Sequence, residues 1–170
     1  MALRAALIAA FLVLAGFMPA AAIEPLPAPT GPVILVVDGK LDTHNTADKT
    51  AAFDLAMLQA LPKTGFATKT IWTNGMQNFE GVKIADLLAR LGAAPTEINA
   101  LATNDYEIRI PIGDALDHGA IIAYAQNGGA IPLNNKGPLW IVYPYDQEAA
   151  LSDERFLSQS VWSLDRMTLY

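Results

Sequence analysis

Lys136-Gly137-Pro138-Leu139-Trp140-Ile141-Val142-Tyr143-Pro144-Tyr145-Asp146 is the most informative run in the chain. A cation and a glycine precede five apolar or aromatic residues, and Pro144 stops them, as it would a buried strand. The strand end then carries Tyr143, Tyr145 and Asp146. Such an end has two readings. In one, the rings give stacking area and the hydroxyls orient a small polar ligand. In the other, Trp140 and Tyr143 are core aromatics and Lys136 is solvated.

On either side of this run, short strands alternate with turn signals. Upstream, Val33–Val37 reads as a buried strand and Asp38-Gly39 as its closing turn. Thr43–Thr50 reads as loop. Asp54 is placed to cap a short helix through Gln59, with Leu55 and Leu58 on one face and Pro62 beyond its end. Phe66–Ile71 is a strand that delivers Trp72-Thr73-Asn74-Gly75 as a loop. Ile84, Leu87, Leu88 and Leu91 follow helical spacing, and Gly92 suits the left-handed end of that helix.

Ile98–Thr103 and Tyr106–Ile110 read as strands around the turn pair Asn104-Asp105. Gly113–His118 is a helical turn and Ile121–Ala125 a strand, followed by the hairpin signal Asn127-Gly128-Gly129. Downstream of the central run, Asp153–Gln159 reads as helical. Val161–Leu169 is a last strand, with Val161, Ser163 and Asp165 opposite Trp162, Leu164 and Arg166. Six or seven short strands with two or three short helices, paired mostly locally and antiparallel, define an α+β fold.

The N-terminus has another character. Arg4, the apolar run Ala5–Phe17 and the small residues Ala20-Ala21-Ala22 follow the order of a secretory signal with a cut before Ile23. The run is too short for the roughly 20 residues that span a bilayer, so no stable membrane insertion is expected after cleavage. Residues 1–22 are thus read as signal, 23–32 with their four prolines as an extended leader, and 33–170 as one domain. A periplasmic or secreted location follows.

Composition excludes several chemistries. The 170 residues contain no Cys, which rules out disulfides, Cys-ligated zinc, iron–sulfur clusters and a thiol nucleophile. The formal net charge is −6, and loss of Arg4 with the signal makes it one unit more negative. With no Lys/Arg cluster, there is no electrostatic footprint for nucleic acid. Hydrolase, P-loop, zincin and EF-hand motifs are missing. His44 and His118 sit in polar surroundings and read as surface histidines. No spacing pairs Asp86, Glu107 or Asp114 as acid and base, so these carboxylates are expected to face solvent.

Taken in order, Phe79–Leu88, Asn104-Asp105-Tyr106, Ala123–Pro132, Lys136-Gly137-Pro138-Leu139 and Val161-Trp162-Ser163-Leu164 resemble the sulfite-oxidase-type oxidoreductase molybdopterin-binding domain. The resemblance runs from about Val33 to Tyr170 and implies that fold. It also implies a molybdenum atom on a pyranopterin dithiolene with one protein Cys as ligand, between the first strand and the Trp72 loop, where this chain has none. Where the family commonly carries His-Gly-x-Pro-x-Arg for the cofactor, this chain reads Asn135-Lys136-Gly137-Pro138-Leu139-Trp140. Lys136 could meet a phosphate as a point charge, but Trp140 lacks the bidentate fork of Arg. Val161 stands where a Lys often precedes the Trp of the last strand.

These departures direct the functional expectation away from molybdenum catalysis. The chain is read as an exported small-ligand-binding, sensory or accessory module that keeps the fold, with no cofactor expected and molybdopterin possible by resemblance. Trp72, Asn104, Asp105, Lys136, Tyr143, Tyr145 and Asp146 are the expected pocket residues. The alternatives are a molybdopterin-dependent oxidoreductase with a non-Cys metal site, or a pocketless partner of an envelope sensor or enzyme that docks through Tyr143–Asp146.

Overall fold

The computed structural model describes residues 24–170, so the signal read over residues 1–22 and its cut before Ile23 lie outside the described residues. Two sheets share one hydrophobic core. The first has the order β2-β1-β10-β5-β6 and is built from β1 (Leu35–Gly39), β2 (Ala51–Phe53), β5 (Glu97–Ala102), β6 (Glu107–Pro111) and β10 (Leu164–Leu169). The second runs β3 (Lys63–Lys69), β4 (Met76–Lys83), β7 (Ile121–Gln126), with β8 (Gly129–Ala130) and β9 (Trp140–Val142) both paired to β7.

The helices are α1 (Leu55–Gln59), α2 (Ile84–Leu91), α3 (Ile112–Asp117) and α4 (Glu154–Ser158), with a 3-10 turn at Ala149–Ser152 before α4. The α+β class stands. Among the described residues there are ten strands and four α-helices, more than the sequence count, because β2 and β8 are too short for a periodic signal and β4 carries Gly81 in mid-strand. No described helix is long and apolar enough to cross a membrane.

Local chemistry explains most elements. The Asp54 carboxylate accepts from Met57 N at 2.8 Å to start α1. Gly92, at φ +64°, ends α2, which buries Ile84, Leu87, Leu88 and Leu91. Asp105 (φ +65°) turns β5 into β6, while Asn127 (φ +53°) and Gly128 (φ +82°) turn β7 into β8.

Pairing is mostly antiparallel, as expected, and one parallel pair joins β1 to β10, Val36 opposite Arg166, so chain-distant neighbours build the first sheet together with local hairpins. One expectation needs correction: the simple alternation over Val161–Leu169 fails, because Ser163 is at φ +52° and the register shifts between Leu164 and Arg166, so Leu164, Met167 and Leu169 share the buried role.

The leader is extended, yet it is docked on the domain. Leu26 is buried, Arg90 donates to the carbonyls of Glu24 and Pro25 at 2.9 Å each, and Asn45 donates to Pro27 O at 2.7 Å. Asp54 takes the backbone N–H groups of Thr30 and Gly31 at 2.7 and 2.8 Å.

The 136–143 segment joins the sheets. One edge of β9 pairs with β7, while Ile141 N donates to Val161 O at 2.9 Å and Leu164 N donates to Leu139 O at 3.0 Å, on the approach to β10. Gly137 lies against backbone: a β-carbon there would strike the carbonyl oxygen of Ile131.

Candidate functional site

All three tryptophans of the chain converge where that segment meets the start of β10. Trp72, from the β3–β4 loop, meets Trp162 edge to face with ring centres 5.3 Å apart, and Trp140 at 5.9 Å. Phe79 packs on Trp140 at 5.3 Å. Lys136 places its ammonium 5.8 Å from the centre of the Trp140 ring and 5.9 Å from that of Trp162, a geometry that stabilises a cation on an electron-rich face.

Beside this cluster opens a cleft of about 360 Å³. Ile71, Trp72, Tyr106, Leu157 and Trp162 supply apolar and aromatic lining, and Asn104, Glu154, Ser158 and Ser160 supply polar groups. Three distant stretches therefore build it: the loop after β3, the β5–β6 turn, and α4 with the residues that follow. Tyr106 Oη donates to Ser158 O at 2.7 Å and ties the turn to α4. Partial burial pushes its phenol pKa above the ordinary value.

Of the residues singled out from sequence, Trp72 and Asn104 line the cleft. Lys136 stacks on the tryptophans without lining it. Asp105 is exposed, its role being the left-handed turn residue.

Tyr143, just past β9 in a stretch whose residues are all buried, is fully buried and donates to Gln159 Oε1 at 2.8 Å. Tyr145 is also buried, hydrogen-bonded to Ser160. Burial, as the largest cause, drives the Tyr143 pKa far above that of a free phenol and pushes Tyr145 up to about 12, so both rings stay protonated. Asp146 accepts from Lys69 N at 2.6 Å and latches the exit of β9 to β3. Burial of Tyr143, Pro144 and Tyr145 leaves Asp146 as the exposed residue of the stretch expected to dock a partner.

Trp162, Glu154, Leu157 and Ser160 escaped the sequence reading. Trp162 had a signal in the closing Val161-Trp162 pair, but nothing local marked α4 as a wall. Asp114, expected in solvent, is buried: Arg155 Nε and Gln159 Nε2 each donate to its Oδ2 at 2.7 Å. His118 pairs with Glu148 at 2.8 Å and rests edge-on against Phe156.

Residues 38–147 match the family model described as oxidoreductase molybdopterin binding domain, and the chain belongs to that family. The same fold occurs in the crystal structure of the sulfane dehydrogenase SoxCD from Paracoccus pantotrophus, with a TM-score of 0.59 and 18% identity. That similarity covers 80% of this chain and 37% of the other. No curated protein matches the sequence.

Membership makes molybdopterin a possible cofactor, but the donor set does not fit a thiolate-ligated metal. The sequence holds no Cys, and no cluster of three or more His, Asp or Glu residues forms among the described residues. Glu154 is the one charged side chain that lines the cleft among the described residues, so this cleft offers no cationic hold for a phosphate. Trp140, at the family's Arg position, buries its indole N–H without a partner and does not line the cleft.

Proposed function

We propose that this chain uses the molybdopterin-binding fold as an exported ligand-binding module of sensory or accessory type, and not as a molybdenum enzyme. The observation that carries the reading is an aromatic-walled cleft in a family member that has no thiol. Walls of Trp72, Tyr106 and Trp162 give stacking area, while Asn104, Ser158 and Ser160 can orient a small molecule. The signal-like N-terminus and the absence of Cys support the reading of export without thiolate chemistry.

The test uses full-length protein expressed with molybdate and recovered from the envelope. Elemental analysis is expected to find molybdenum far below one atom per chain, and the mature N-terminus is expected at Ile23. Near-stoichiometric molybdenum, with pterin released on denaturation, would overturn the proposal. Binding is read separately by screening small aromatic and amine compounds for thermal stabilisation, which Trp72→Ala is expected to abolish for any hit.

A further inference from the structure

The charge and the walls of the cleft narrow its ligand. Trp72, Tyr106 and Trp162 offer electron-rich rings, and Glu154 brings a carboxylate to the same space. Glu154 makes no ion pair among the described residues. No Lys or Arg lines the cleft. An anion would meet a like charge here with no donor fork to hold it, in a chain already of net charge −6.

The Lys136 ammonium sits within 6 Å of the Trp140 and Trp162 ring centres without lining the cleft, so its charge opposes a second cation on Trp162, and the preference for positive charge rests on Glu154 with the Trp72 and Tyr106 rings. Aromatic rings and a carboxylate lining one cleft favour an alkylated ammonium, whose diffuse charge is easily desolvated.

Resting on the ligand-binding reading above, we infer that this cleft takes a small organic cation of the alkylammonium class, in contrast to an anionic or neutral ligand. Stacking on Trp72 and Tyr106 supplies the contact area. The Glu154 carboxylate supplies the preference for positive charge.

The probes are choline, its neutral isostere 3,3-dimethylbutanol, and inorganic phosphate. Binding is followed by tryptophan emission, which reports the cluster because every tryptophan lies in it. Choline is expected to bind at least about ten-fold more tightly than 3,3-dimethylbutanol, and phosphate not at all. Glu154→Gln, an exposed change that leaves the core intact, is expected to remove most of that ten-fold preference while binding of the neutral isostere stays the same. Equal binding of choline and isostere, or an unchanged preference in Glu154→Gln, overturns the cation assignment and leaves a ligand-binding cleft standing. Silence from all three probes also overturns it, and the ligand-binding reading is then judged by the molybdenum assay and the compound screen.

Discussion

Tyr143 donates its phenolic proton to Gln159 Oε1 at 2.8 Å, binding the end of β9 to the residue that follows α4. The amide nitrogen of Gln159 continues the chain to Asp114 at 2.7 Å, and Arg155 closes it from the surface at the same distance. This buried relay holds the α4 segment, and with it Leu157, Ser158 and Ser160, in place as one wall of the cleft. Tyr143→Phe removes the donor and strands a buried acceptor, so it is expected to cost roughly 1–3 kcal/mol in urea denaturation. Wild-type stability in the variant would mean that the relay is not what secures the wall.

Lys136 is a positioning residue for the tryptophan cluster and does not itself line the cleft. Lys136→Met keeps the aliphatic stem and deletes the charge, and is expected to lower stability by about 0.5–1 kcal/mol. Thermal denaturation of both proteins in low and high salt measures this. An identical midpoint in the two proteins would show that the ring contacts contribute nothing.

Gly137 cannot carry a side chain where it sits. A β-carbon would overlap the Ile131 carbonyl and lie 2.7 Å from Pro132 O, and backbone cannot rotate out of the way as a flexible side chain can. Gly137→Ala is therefore expected to cost on the order of 3 kcal/mol. Chemical denaturation checks the value, and loss of the Lys136 ring contacts should appear as altered tryptophan emission.

Asp54 couples the leader to the domain, and its pKa lies below the ordinary 3.8 because backbone N–H groups, that of Met57 first and then that of Gly31, stabilise the charged form. A depressed folded-state value contributes stability that is present above the unfolded pKa and lost as pH falls through the folded one. Stability of the wild type relative to Asp54→Asn should accordingly be greatest near neutrality and shrink below about pH 4. Denaturation midpoints of the two proteins from about pH 6 to about pH 2.5 provide the comparison. A constant difference across that range would remove Asp54 as the source.

Much of the fold was legible because its signals are short-range. The Asp54 cap, the Ile84–Leu91 stripe with Gly92, the Asn104-Asp105 turn and the Asn127-Gly128 hairpin each depend on residues only a few positions apart. β2 and β8 were missed since strands of three and two residues show no period, and the register shift at the start of β10 broke the alternation. The site was legible only in part. Trp72 and Asn104 reached the cleft, whereas Tyr143 and Asp146 carry polar groups that the structure spends on internal bonds.

The sequence by itself determined the absence of a thiol ligand, the acidic balance, the family and most elements, because composition and local patterning need no third dimension. Only the tertiary structure decided which polar groups stay available. The antiparallel pairing of β10 with β5 and the bridge from residues 136–143 to residues 161–164 bring Trp72, Tyr106 and Trp162 to one cleft from stretches far apart in the chain. That convergence arises from burying two sheets around one core, a property of the whole chain that no local run of residues encodes.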